Sequence, residues 1–147
     1  AVHDWIVDRE TNHIYAVTQL YPFNKERNGF ATQIVKFNLP SINIPQVILS
    51  DVDIEDSFEV FFPHILQGGV IHNHTLYFPS GASADSQLQY GKEKAIVIID
   101  LKEKGIKRII DVQDILNNEP EGGAFWGKSL IISCAPKGLY QFFLKDE

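Results

Sequence analysis

The same order of short apolar runs recurs in this chain at a fixed distance, and that repeat restricts the possible folds more than any other feature. "NHIYAVTQ" (12–19) answers "HTLYFPSG" (74–81), setting Ile14 over Leu76. "QIVKFNL" (33–39) answers "AIVIIDL" (95–101), setting Phe37 over Ile99, and "QVILSDVDI" (46–54) answers "KRIIDVQDI" (107–115), setting Ile48 over Ile109. The offset stays at 61–62 residues through all three pairs. A third, shorter copy follows: "KSLIISCA" (128–135) sets Leu130 with Leu76 and Ile14, and "LYQFFL" (139–144) comes next. A unit this small cannot bury its apolar face alone, so such units stack.

The runs themselves are β. They are short and rich in β-branched and aromatic residues, Gly, Pro, Asn and Asp separate them, and helical periodicity is nearly absent. Each full copy reads as four antiparallel strands, A to D. Strand A falls at 4–9, 68–73 and 122–127, and "PSIN" and "KEKG" form the tight C-to-D turns. Four-stranded units at this period are the blades of a β-propeller. The expected fold is therefore all-β, with three antiparallel blades at about 3–54, 65–115 and 119–147, the last lacking its outer strand. Inner strands covered on both faces explain the continuous apolar runs. Glycines opening strand A suit an axis where neighbouring backbones come close. A β-sandwich of eleven short strands would explain the strands but not the constant offset.

The third copy carries a family resemblance. "EPEGGAFWGKSLIISCAPKGLYQF" resembles a blade of six-bladed propellers of the gluconolactonase, NHL-repeat and TolB-like group, and is similar to "E-x-E-G" blades in phytase-like esterase propellers. "GGVIHNHTLYFPSG" followed by "KAIVIIDLKEKGIKRIIDV" resembles the preceding blade of secreted bacterial propellers. The resemblance implies an extracytoplasmic, six-bladed ring; because the third copy stops after its third strand, the chain reads as the C-terminal part of a larger ring. The resemblance also implies a carboxylate near the axis that binds a divalent cation, Ca²⁺ being the candidate, and Glu121 matches that position.

A ring that stops after three blades leaves two apolar sheet faces open, and such faces associate. The expected partner is the remainder of the propeller or a second copy of the chain. With 13 Lys and Arg against 19 Asp and Glu, the net charge is −6 and no basic stripe exists, which argues against nucleic acid. No apolar run is long enough for a membrane-inserted helix. The chain begins "AVHDW" and holds no Met, which points to a processed or excised segment. Cys134 is the lone cysteine, so neither an internal disulfide nor a cysteine zinc site is expected, and its apolar run marks a buried thiol.

Propeller topology sorts the candidate residues. B-to-C loops and D-to-A connections leave one end of the blades, A-to-B and C-to-D turns the other. The long B–C loops 20–32 and 79–94 are expected to share an end with 53–67 and 117–121, while the third B–C loop, "PKG", is minimal. Function concentrates on such loops. The ligand-binding candidates at this end are Glu119, Glu121, Gln67, His64, Tyr21 and Tyr90, with Phe23, His3 and Asp4 beside them. Glu121 is the metal candidate, although the other copies offer Gln67 and Trp5 at its place. Trp126 is expected to pack at the A–B turn. His72 and His74 lie in an A–B turn at the far end without a third ligand. The acidic cluster Asp51, Asp53, Glu55, Asp56 and Glu59 lacks the glycine and spacing of a calcium loop and reads as a solvated connection.

Two functions fit. One is a recognition propeller that binds a small molecule, glycan or protein through its loop-rich end, without a cofactor. The other is a metal-dependent hydrolase of the lactonase or phytase-like esterase type with an axial cation. The absence of a repeated Glu, Asp or Asn at the start of strand A favours binding over catalysis.

Overall fold

In the computed structural model, which describes residues 1–145, the regular structure is β-strand apart from one 3₁₀ turn at Asp51–Asp53. The strands form three antiparallel sheets of four, four and three, all meandering in chain order. The first sheet holds β1 (Asp4–Asp8), β2 (His13–Asn24), β3 (Gly29–Asn38) and β4 (Ile54–Phe62). The second holds β5 (Val70–His72), β6 (Thr75–Ser80), β7 (Ala95–Asp100) and β8 (Gly105–Asp111). The third holds β9 (Glu119–Trp126), β10 (Ser129–Ala135) and β11 (Leu139–Phe143). Among the described residues no helix is long and apolar enough to cross a membrane.

The sheets stack face to face with the second in the middle. Ile6, Val17, Ile34 and Phe62 of the first sheet meet Leu76, Phe78, Val97 and Ile99 of the second. Ile96 and Ile98, on the opposite side of β7, meet Leu130, Ile132 and Cys134 of the third sheet. Alternate residues of β7 therefore enter different cores, which is why "AIVII" has no polar alternation. The two interfaces use matching faces. Pairing sets Phe37 opposite Ile14 and Ile99 opposite Leu76, so the repeat register survives through the second and third strands of each sheet.

Close approach of the inner strands explains the Gly-Gly steps. The Gly68 N–H donates to the Glu121 carbonyl at 3.0 Å, and the Gly69 N–H donates to Asp4 Oδ2 at 2.7 Å. A Cβ on Gly68 would lie 2.8 Å from the Glu121 carbonyl oxygen and 3.3 Å from Gly122 Cα, both backbone atoms with little room to move. Gly68→Ala should therefore destabilise the chain by about 1–3 kcal/mol, as overpacking does. Urea denaturation checks this, and a wild-type midpoint would show that the inner strands separate freely.

The outer strand of the first sheet departs from the sequence expectation. Residues 46–50 form no strand, and Ile42, Ile48 and Val52 are exposed. The outer strand is instead β4, paired with β3 from Phe30↔Phe62 to Phe37↔Ile54. Its sequence alternates: Val60 and Phe62 point into the core, while Ser57 and Glu59 pair on the other face with Val35 and Gln33. Prolines at 40 and 45 remove backbone donors just where the expected strand would begin. The repeat offset is thus lost after strand C, and the first sheet extends to Phe62 rather than ending at 54. The supposed "PSIN" turn is a connection spanning 39–53, whereas "KEKG" is the tight turn expected.

Two further expectations change. Segment 20–32 is not a long loop, because β2 and β3 continue through it as a ribbon joined by a turn at 25–28. Segment 53–67 is mostly β4, so Glu55, Asp56 and Glu59 are strand residues, and Asp56 pairs with Lys104 of the second sheet at 2.8 Å.

Candidate functional site

The B–C and D–A connections meet at one end of the stack and are bonded to each other there. The Ile65 N–H donates to the Gly91 carbonyl, the Gly81 N–H to the Ile65 carbonyl, and the Val112 N–H to the Lys94 carbonyl. Asn118 Nδ2 donates to the Lys137 carbonyl at 2.7 Å. Loop 81–94 lies between the first and third sheets' connections and divides this end into two parts.

The first part lies between the first and second sheets and is built around Gln19, which is 1% exposed. Its Nε2 donates to the His64 carbonyl and its Oε1 accepts from the Leu66 N–H, both at 2.9 Å. Its backbone N–H donates to His3 Nδ1 at 3.1 Å. Above it is an aromatic cluster. Phe23 and Tyr90 stack with centroids 4.1 Å apart, and both Phe23 and Tyr21 meet Phe30 edge to face. Tyr21 and Tyr90 therefore join one aromatic cluster, Tyr90 stacked on Phe23 while Tyr21 stays 54% exposed. Burial raises the Tyr21 hydroxyl above its ordinary value.

His64 sits beneath this cluster, and its Nδ1 is buried with no hydrogen-bond partner among the described residues. Burial lowers its pKa below the ordinary 6.5, against the opposing charges of Glu93 and Asp111. The unfolded chain therefore takes up this proton first as pH falls. Above 6.5 the imidazole is neutral in both states and contributes nothing to pH dependence. Below 6.5 it costs stability increasingly until the folded pKa is reached. Thermal melts between pH 7.5 and 5 should show a loss that is smaller in His64→Gln; identical slopes would show that His64 protonates without cost.

The second part lies between the second and third sheets. Gln67 Nε2 donates to the Gly81 carbonyl at 2.8 Å and to Glu119 Oε1 at 3.0 Å. These two candidates are joined directly. Beside them is a cleft of about 330 Å³ lined by Asp85, Lys94, Asn117, Asn118 and Glu119, with Ala135 and Pro136 supplying apolar surface. Lys94 is only 5% exposed. Neither Lys94 nor Gln19 was singled out from the sequence. Lys94 immediately precedes the run "AIVIID" and shares the side of Ile96 and Ile98, a charge aimed between two sheets; Gln19 interrupts an apolar strand.

Glu121 stands apart from both parts. It is exposed on β9, and its backbone rather than its carboxylate contacts the second sheet. Among the described residues no three His, Cys, Asp or Glu side chains gather as a metal would require. The counterpart assigned to it in the first copy also changes. Trp5 pairs with Ala16 and Ile132 with Gly123, so Trp5 is level with Gly123, and His3 lies nearer the level of Glu121. Asp4 follows, its carboxyl raised by burial although the Gly69 and Trp5 N–H groups favour the anion.

Other candidates fall away from this end. Trp126 is 81% exposed on the outer face of the third sheet rather than packed at its turn, because no sheet covers that face. His72 stacks on Phe125 at 4.3 Å and His74 sits in the turn at φ 58°, so the two do not share a strand face. Cys134 is buried, and burial raises its thiol above the ordinary value, as an inert core cysteine requires.

No family model matches the sequence, and no curated protein matches it. Among solved structures, the chain is similar to the computationally designed Ika4 protein, with 9% identity and a TM-score of 0.46 over 99% of this chain and 92% of that one. A likeness that loose says nothing about function.

Proposed function

We propose that the three sheets are consecutive blades of a six-bladed β-propeller, and that the chain recognises a small molecule, glycan or protein through its loop-rich end. The observation that carries this reading is the repeated stacking. The face of the second sheet bearing Leu76, Val97 and Ile99 packs on the first sheet, and the equivalent face of the third, bearing Leu130 and Ile132, packs on the second. One operation relates both interfaces, and continuing it calls for further sheets at each end. The outer face of the third sheet exposes Trp126, Leu139 (74%) and Phe143 (77%) around a groove. The outer face of the first offers Trp5 and Ile14 beside Val47 and Leu49 of the 39–53 connection. Sheets of the same kind, from a longer chain or a second copy, would cover both.

Recognition falls to the loop end because it holds the aromatic cluster and the buried Gln19 and Lys94, while the opposite end carries tight turns and the exposed 39–53 connection. Backbone resonances mapped against a library of metabolites, oligosaccharides and peptides test this. Shifts concentrated in 63–69, 81–94 and 112–119 are expected. Shifts concentrated in 9–12 and 101–104 would overturn it.

A further inference from the structure

The cleft between loop 81–94 and β9 holds opposite charges that do not meet. Lys94 lines it, 95% of its surface hidden by the second and third sheets, and among the described residues its amino group makes no hydrogen bond or ion pair. Asp85 and Glu119 line the same cleft, and neither pairs with Lys94. Glu119 is steadied through Oε1 by Gln67, and Asp85, exposed at the rim, is held by the Ser83 hydroxyl and by its own backbone N–H. Asn118 is fixed by the Lys137 carbonyl, and Asn117 stands exposed at the rim.

The stem of Lys94 is packed away while its Nζ keeps contact with solvent, and a ligand carboxylate placed there gains a charge-assisted hydrogen bond. A simple anion would suit Lys94 but be repelled by two carboxylates, and a simple cation the reverse. A molecule carrying both charges a few bonds apart satisfies all three groups. The volume of about 330 Å³ lies at the small end of ligand sites. Ala135 and Pro136 leave room for a modest apolar side chain.

We infer that this cleft binds a free α-amino acid, with Lys94 holding the ligand carboxylate, and Glu119 and Asp85 its ammonium. The inference rests on the reading of the loop end as the recognition surface and names its ligand class.

The test titrates the isotopically labelled chain with each common α-amino acid at millimolar concentration, following Lys94, Asn118 and Glu119. At least one should bind in fast exchange. For the best binder, the methyl ester, which lacks the carboxylate, and the desamino acid, which lacks the ammonium, should each bind about tenfold or more weakly, the loss of one charge-assisted contact. Lys94→Met keeps the packed stem, and Glu119→Gln keeps an acceptor for Gln67; each should weaken the intact ligand to a similar degree. The analogue series on the wild-type chain stands even if a variant folds poorly. The inference is overturned if no amino acid binds, if the desamino acid binds as tightly as the parent, or if Lys94→Met leaves affinity unchanged. An uncharged ligand that shifts the same loops would overturn this inference alone, whereas ligands mapping to 9–12 and 101–104 would overturn the recognition surface itself.

Discussion

Leu130→Ala is expected to destabilise the chain by about 2–5 kcal/mol. Leu130 is fully buried between the second and third sheets among Ile96, Ile98 and Ile132. Interlocked side chains from two sheets cannot collapse into the vacated space, so a cavity adds to the lost transfer energy. Ile14 occupies the same place in the repeat but is only half-buried, because no sheet covers the outer face of the first sheet. At low protein concentration Ile14→Ala should cost roughly 1–2 kcal/mol, in proportion to the smaller area removed from water. Urea unfolding of both variants measures the difference. Equal losses would mean that the face around Ile14 is covered in solution.

Gln19→Leu should be comparably damaging although it makes the interior more apolar. Leucine fills about the same space but leaves the Leu66 N–H and the His64 carbonyl without their 2.9 Å partners. Each buried group left unsatisfied costs about 1–3 kcal/mol, so a total of about 2–5 kcal/mol is expected. Gln19→Glu keeps an acceptor for Leu66 but sets a buried carboxylate oxygen against the His64 carbonyl, and at neutral pH should cost at least as much as Gln19→Leu. Amide exchange at Leu66 should accelerate in Gln19→Leu. A fully stable Gln19→Leu would show that water replaces the side chain, and that the two connections are not fastened to the first sheet through Gln19.

The order of these predictions reflects where residue identity carries information. A strand buried on both sides has to be apolar at every position, and one buried on a single side has to alternate. The run at 95–100 therefore announced its place in the middle of the stack, and the constant offset set Ile14 with Leu76 and Phe37 with Ile99 at equivalent positions. The offset misled at 46–54, where apolar residues were matched to 107–115 although Pro45 immediately precedes the segment. The alternation in "EDSFEVFF" marked the true outer strand, with Val60 and Phe62 directed inward. Periodicity within a strand outranks similarity between copies, because the first reflects burial directly and the second tolerates insertions in connections.

The candidate site was legible only in part. Glu119 and Gln67 were found through their position at the start of the inner strands, and they do meet at 3.0 Å. Tyr21, Tyr90 and His64 were found as residues of one end, though packing among the aromatics accounts for much of their arrangement. Lys94 and Gln19 escaped notice because their roles depend on what lies across the interface, not on their neighbours in the chain.

By itself, then, the sequence determined the all-β class, the division into units of four, four and three strands, and the apolar residues of the second and third strands of each unit, since all of these follow from local burial periodicity and from the spacing of turn residues. The tertiary structure decided which segment closes the first sheet, which side of each strand finds a partner, and which charges are left facing each other across a cleft. Those outcomes depend on distances between residues far apart in the chain, such as the 52 positions between Gln67 and Glu119, and no local pattern encodes such a distance until the sheets have stacked.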